Sequence, residues 1–252
     1  MSKSLDTIDG VIAFLKPKGI TSFDLVSNVK RVITQYYKEQ LKGQNISNKR
    51  LRKLVKVGHG GTLDKNAQGV IVLGIGKGTK MMQEYLKGDK VYIGVGVLGK
   101  QTDTLDPLGE VIDECPFDHV DKELLDNSLI RFRGEIDQIP PKFSAIKIKG
   151  KRASDIIREG KEVELKPRKV TIYDIKILGY DAPKFTLRAS VSGGTYIRSL
   201  IRDIGKTVGS CAYMEDLTRT KQGIFTLEQA LSLDKLSVRS LKEAISKYSL
   251  NL

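Results

Sequence analysis

The sequence predicts an α+β fold built on a mixed, mainly antiparallel sheet flanked by helices. Three observations carry this. Segments such as 90–98 and 185–191 alternate apolar and other residues, as strands with two distinct faces do. Between such segments apolar residues recur at helical spacing. And 252 residues, 40% of them hydrophobic, suffice for one large core.

The elements follow in order. Val11 to Leu15 reads as a short buried strand. Lys16 to Ser22 is a turn, with Thr21 or Ser22 available to cap a helix that carries Leu25, Val29, Val32 and Tyr36. Residues 38–56 are polar and strongly basic, and Gly43-Gln44-Asn45 marks a loop inside them. Next comes Lys56-Val57-Gly58-His59-Gly60-Gly61-Thr62-Leu63-Asp64, ahead of an apolar run from Gly69 to Gly74 that suits a buried strand. Its residue types fit a catalytic loop with one rigidly placed carboxylate, and equally an ordinary glycine-rich turn closed by Asp64.

Gly74 to Lys80 lacks the spacing of a phosphate-binding P-loop, so Gly76 to Thr79 reads as the start of a helix with Met81, Met82 and Tyr85. In the strand that follows, Val91, Ile93, Val95 and Val97 share one face, and Tyr92 takes the other. There Tyr92 fits base stacking, or plain packing. Thr102 to Gly109 is a polar turn. Leu124, Leu125 and Leu129 suggest a helix ending near Gly134, and Ile156 and Ile157 a short helix within the basic stretch 147–169. Phe185, Leu187, Ala189 and Val191 alternate as a strand, broken at Gly193-Gly194. A helix then carries Ile197, Leu200, Ile201, Ile204 and Val208 as its buried stripe, with Arg198 and Arg202 off it. A last helix is expected around Leu241 and Ile245.

Forty-three basic residues oppose thirty acids, and the net charge of +13 favours a polyanionic partner, nucleic acid first. No apolar run approaches a membrane span, and Asp6 and Asp9 argue against a transit peptide. Cys115 and Cys211 lie far apart without metal-ligand spacing, which suits a reduced intracellular compartment.

Gly58-His59-Gly60-Gly61-Thr62-Leu63-Asp64 with Gly69-Val70 resembles the catalytic motif of the TruB family of tRNA pseudouridine synthases, and the Gly60-Gly61-Thr62 form resembles its eukaryotic branch. Lys16-Pro17-Lys18-Gly19 with Ser22, Thr102-Asp103-Thr104 with Asp106, Pro140-Pro141 with Phe143-Ser144, Gly194 with Tyr196-Ile197-Arg198, and Leu217-Thr218-Arg219-Thr220 resemble further family elements, in order over about residues 10–230. The resemblance implies a pseudouridine synthase fold with a central catalytic cleft. Its catalytic domain would cover residues 1–230, with a basic insertion at about 38–56 and a short helical extension at 231–252 in place of a full further RNA-binding domain. It implies Asp64 as nucleophile, paired with Arg198, and Tyr92, Tyr196, Arg198, His59 and Leu217 as substrate-binding residues. Lys16, Lys18, Lys147 and Arg219 are candidate RNA contacts. The implied reaction turns one uridine of the tRNA T-arm, position 55, into pseudouridine on a flipped-out base, without metal or cofactor. The expected protein is a monomer of the cytoplasm or nucleus whose partner is tRNA. An RNA chaperone would share the basic surface without needing Asp64, and a guide-RNA-dependent synthase would share the aspartate motif. A carbohydrate glycosidase would need a second carboxylate, and none is identifiable.

Overall fold

The computed structural model describes residues 5–43, 47–144, 146–148 and 150–247, and only the backbone of Asn48, Lys147 and Arg152. The chain opens with strand β1 (Gly10–Lys16) and helix α1 (Ser22–Gln40). Thr21 caps α1 in a reciprocal box with Asp24, which satisfies backbone donors at the helix start. Helix α2 (Asn48–Leu54), strands β2 (Val57–His59) and β3 (Gln68–Ile75), a 3-10 turn (Gly76–Met81) and helix α3 (Met82–Lys87) follow. Then come β4 (Lys90–Leu98), β5 (Lys100–Thr102), β6 (Val111–Glu114), α4 (Lys122–Ser128) and β7 (Gly134–Gln138). After β8 (Lys147–Ile148), β9 (Lys151–Arg152) and α5 (Ala153–Arg158), the long strand β10 (Arg168–Asp181) precedes β11 (Lys184–Val191). Helix α6 (Ile197–Thr207), strands β12 (Ala212–Gln222), β13 (Phe225–Thr226) and β14 (Leu231–Ser232), and helix α7 (Val238–Lys247) complete the chain.

The chain forms two compact units. The first joins Met1–Lys90 to Thr218–Leu252. Within it β1 pairs antiparallel with β3 and parallel with β14, β2 pairs antiparallel with β3, and the end of β12 runs parallel to the start of β3. Helix α1 buries Leu25, Val29, Ile33 and Tyr37 against Ile12, Phe14, Ile71 and Leu73 of this sheet, and Leu241 of α7 joins the same core. The second unit is Val91–Leu217. There β10 pairs antiparallel with both β7 and β11, and β4 neighbours β11. Phe185, Leu187, Ala189 and Val191 are fully buried, as the alternation of β11 predicts.

Several expectations need correction. The buried stripe of α1 runs through Ile33 and Tyr37 rather than Val32 and Tyr36, because the Tyr37 hydroxyl reaches inward to accept the Ile8 N–H. The basic stretch 38–56 contains a helix, α2, which Ser47 caps, while Gln44 and Asn45 lie outside the described residues. In β4 the expected alternation holds, with Val91, Ile93 and Val95 half-buried and Tyr92 on the opposite, buried face with Gly94 and Gly96. Glycine there leaves room: a Cβ at Gly96 would come 2.3 Å from the Phe185 ring. Cys115 and Cys211, expected as reduced thiols, form a disulfide with Cα atoms 5.6 Å apart, so 96 residues of separation hid a close pair.

Candidate active site

Asp64 is half-buried in the middle of the loop, residues 60–67, that joins β2 to β3 in the first unit. Almost every carbonyl around it is held by a buried side chain. Gln222 donates to the Gly60 oxygen at 2.7 Å. Arg219 donates to the oxygens of Gly61 and Thr62 at 3.3 and 3.4 Å, and to that of Val70 in β3 at 2.6 Å. The Ser22 hydroxyl donates to the Leu63 oxygen at 3.0 Å and accepts the Leu63 N–H at 2.9 Å. Lys16 donates to the Lys65 oxygen at 3.3 Å, and the Gly19 N–H donates to the same oxygen at 2.9 Å. The Asp64 oxygen itself accepts from the Ala67 N–H. Thus the backbone of 60–65 has its acceptors filled one after another, and the Asp64 side chain leaves a backbone with few ways to move.

The sequence supports this locally. Gly61 has φ +140°, a conformation that glycine alone adopts readily. Gly69 has φ +116°, and a Cβ there would come 2.2 Å from the Arg219 oxygen, so glycine lets β12 approach β3 closely enough for Arg219 to reach the loop. The His59 ring nitrogen Nδ1 accepts the Gly61 N–H at 3.3 Å, a local bond within the same loop.

Lys16 and Arg219 therefore depart from their expected place at the RNA. Both are buried, at 0% and 1% exposure, and both spend their donors on carbonyls of this unit. Burial, opposed in part by the nearby Asp64 charge, pulls the Lys16 ammonium down to about 8. Lys90, buried on the oxygens of Tyr85 and Leu86, is pulled down to about 8 by the same cause. Lys18 is exposed. Lys147 lies in β8, with its side chain outside the described residues.

The second unit holds the other expected residues. Arg198, on the first turn of α6, is buried although it lies off the apolar stripe. It donates to the Thr104 oxygen at 2.9 Å and the Phe143 oxygen at 3.1 Å, and lies 3.7 Å from the Asp106 carboxylate. Asp106 in turn accepts from the Thr104 hydroxyl and the Leu108 N–H. One guanidinium thus gathers the 102–109 turn and the Phe143 segment. Tyr196 is half-buried, and its backbone exchanges two hydrogen bonds with Gln138: its N–H donates to Gln138 Oε1 at 2.8 Å and its oxygen accepts from Gln138 Nε2 at 3.1 Å. Tyr92 and Leu217 are buried, and Leu217 packs beside Gly94.

Sequence reasoning missed Gln222 and Gln138 as positioning residues, and named Ser22 only as a helix-cap candidate and a member of a family element. For Gln222 the sequence carries little signal: the buried positions of β12, Ala212, Met214, Leu217, Arg219 and Gln222, break strict alternation twice and end in polar residues. Buried polar groups need partners, and loop carbonyls supply them.

Comparison with known proteins gives a consistent set. Residues 49–197 match the profile of the TruB family pseudouridylate synthase N-terminal domain, and residues 198–249 that of the tRNA pseudouridylate synthase B C-terminal domain. The mouse (Mus musculus) protein named pseudouridylate synthase TRUB1 is 45% identical over 98% of this chain and 73% of its own length. A Clostridioides difficile protein named tRNA pseudouridine synthase B is 38% identical over 94% and 73%. A solved Cbf5-Nop10-Gar1 complex contains a chain that matches with TM-score 0.64 and 30% identity over 91% of this chain, and an H/ACA RNP bound to a substrate RNA contains another with TM-score 0.61 and 27% identity over 90%. This chain spans about half of each of those two, 54% and 52%.

Proposed function

The chain belongs to the TruB family of pseudouridylate synthases, and we propose that it isomerises uridine to pseudouridine at position 55, in the T-arm of tRNA. The observation that carries this is the loop of residues 60–65, whose carbonyls are held one by one around a single carboxylate. A nucleophile that must meet one atom of a displaced base gains most from such rigidity, since a pre-positioned group spares the transition state the cost of ordering it.

In the reaction the bond from N1 to C1′ breaks, the uracil turns, and C5 bonds to C1′. The C5 proton leaves and N1 gains one, so the formula is unchanged. Asp64 is the nucleophile. The target base leaves its stack, because the reacting bond is enclosed within the RNA. His59 helps occupy the space it leaves. Tyr92 stacks on the uracil and serves proton transfer at C5, and Tyr196, Leu217 and Arg198 line its place. Lys18 and Lys147 contact RNA phosphates. The protein works as a monomer, in the cytoplasm or nucleus. Among the described residues no helix is long and apolar enough to cross a membrane.

A reading as part of a guide-RNA particle is less favoured. The two complexes match at 27% and 30% identity over about half of their chains, against 45% for the mouse relative. The test is base-resolved pseudouridine mapping on an unmodified tRNA transcript, with no guide RNA added, alongside a binding titration. Conversion at the T-arm uridine is expected. Tight binding without conversion would replace the enzyme reading by a chaperone.

A further inference from the structure

The Gly74 to Lys80 segment, which fails as a P-loop, has no part in the chemistry above. In the structure it lines a cavity of about 250 Å³ in the first unit. Lys77 and Lys80 come from its 3-10 turn, Lys53 from the last turn of α2, and Lys56 from the link between α2 and β2. Asp9 is the only acid among the lining residues. One of its oxygens accepts the Lys77 N–H at 2.8 Å, and Gly76, at φ +54°, leaves room for it: a Cβ there would come 1.9 Å from that oxygen. The Gly76 N–H also donates to the Lys56 oxygen at 2.7 Å, which ties the two basic segments together. Among the described residues none of the four ammonium groups has an ion pair or hydrogen bond.

Four cations against one carboxylate in a concave surface raise the local positive potential, and an anion relieves it. The volume lies below the roughly 300–1,000 Å³ of cavities that take drug-sized ligands. It therefore suits a single phosphate group better than a whole nucleotide. We propose that this cavity grips a backbone phosphate of the RNA substrate, as a second anchor that shares no residue with those assigned to the uridine. The inference rests on the reading of RNA as substrate. Its physical content is that α2, the helix inside the basic stretch, completes a phosphate site rather than a merely solvated face.

The test compares wild type with a variant carrying Lys53→Gln, Lys56→Gln, Lys77→Gln and Lys80→Gln. A control loses the same charge at exposed, ion-paired lysines of the second unit, through Lys100→Gln, Lys122→Gln, Lys169→Gln and Lys184→Gln. Affinity for an unmodified tRNA transcript is measured from low to physiological salt. In the cavity variant the slope of log affinity against log salt should fall by about one unit for each phosphate that is no longer neutralised. In the control it should remain as in wild type. Single-turnover conversion at saturating enzyme should stay within about twofold of wild type, because these lysines bind phosphate only. A cavity variant with the wild-type slope, or a control whose slope falls as much, overturns the proposal. Amine-reactive footprinting separates the sources of phosphate. The transcript should protect the four lysines at an ionic strength where inorganic phosphate does not, and equal protection by inorganic phosphate would refute an RNA anchor. If wild type binds but forms no pseudouridine, the enzyme reading fails, while the slope comparison still judges the cavity.

Discussion

Ser22 makes two hydrogen bonds to the residue just before Asp64, so it tests whether the held backbone matters. Ser22→Ala removes a hydroxyl that is 3% exposed and leaves a buried N–H and a buried carbonyl to find other partners. The cost is about 1–3 kcal/mol of stability. We expect turnover to fall while tRNA affinity holds, because phosphate contacts elsewhere supply the binding. Turnover unchanged in a destabilised variant would separate the loop's rigidity from its chemistry. Asp64→Asn is the sharper change. An amide has nearly the carboxylate's shape but is a poor nucleophile, so conversion should vanish even in single turnover, with folding and tRNA binding retained. Conversion by that variant removes the assignment. Lys16 gives a pH test. Its ammonium is pulled down to about 8 in the fold, chiefly by burial, from 10.5 in the unfolded chain. Between those values the unfolded chain binds more protons, so this residue's contribution to stability rises with pH. The stability difference between wild type and Lys16→Met should therefore grow in favour of wild type from pH 8 to pH 10, measured by denaturant unfolding. A difference that is flat across that window contradicts the burial argument.

Among the elements, the parallel contact of β12 with β3 is what brings Arg219 and Gln222 to the loop. It depends on Gly69. Gly69→Ala would place a methyl 2.2 Å from the Arg219 backbone oxygen at a φ of +116°, where neither strand has a flexible side chain to yield. Overpacking and backbone strain together predict a loss of about 3 kcal/mol or more, read as a drop in thermal midpoint, with activity falling beyond what unfolding explains. A variant as stable and active as wild type would show that the strands separate without consequence. This contact also marks the limit of what the sequence reveals. Strands β1 and β3 were legible as short continuous apolar runs, and β11, α1, α6 and α7 through apolar periodicity that is strong and local. Strand β12 was not, since its inward positions hold Arg219 and Gln222, which read as surface residues when taken one at a time. Likewise β10, with Arg168, Lys169, Asp174, Lys176 and Asp181 along it, looks like solvated chain until paired with β7 and β11. At the site, Asp64 and Arg198 stood out as motif members. The burial of Lys16 and Arg219 could not be read from their types, because carbonyl partners leave no signature in the side-chain alphabet.

At the scale of the whole molecule, the charge of +13 and the held loop serve different steps. The loop concerns one bond in one nucleotide. The charge concerns a polyanion many nucleotides long, and it acts by releasing counterions from the RNA. The two are therefore separable in measurement. Affinity for tRNA should fall steeply and linearly on logarithmic axes as salt rises. A protein that neutralises six to ten phosphates loses about 10³–10⁵ in affinity between roughly 50 and 200 mM salt on duplex DNA, and the per-phosphate dependence is somewhat weaker on single strands. A fall of at least about a hundredfold over that interval is the expected outcome here. Single-turnover conversion of bound tRNA should change far less over the same interval, since a nucleophile fixed by buried hydrogen bonds is little screened by bulk ions. Fluorescence titration and rapid quench on the same samples give the two numbers. An affinity that is flat with salt would mean that shape and base contacts dominate, and that the excess of lysine and arginine serves something other than RNA. A conversion rate that falls in step with affinity at saturating enzyme would mean that phosphate contacts help to form the reactive arrangement, and that binding and chemistry are not separable in this molecule.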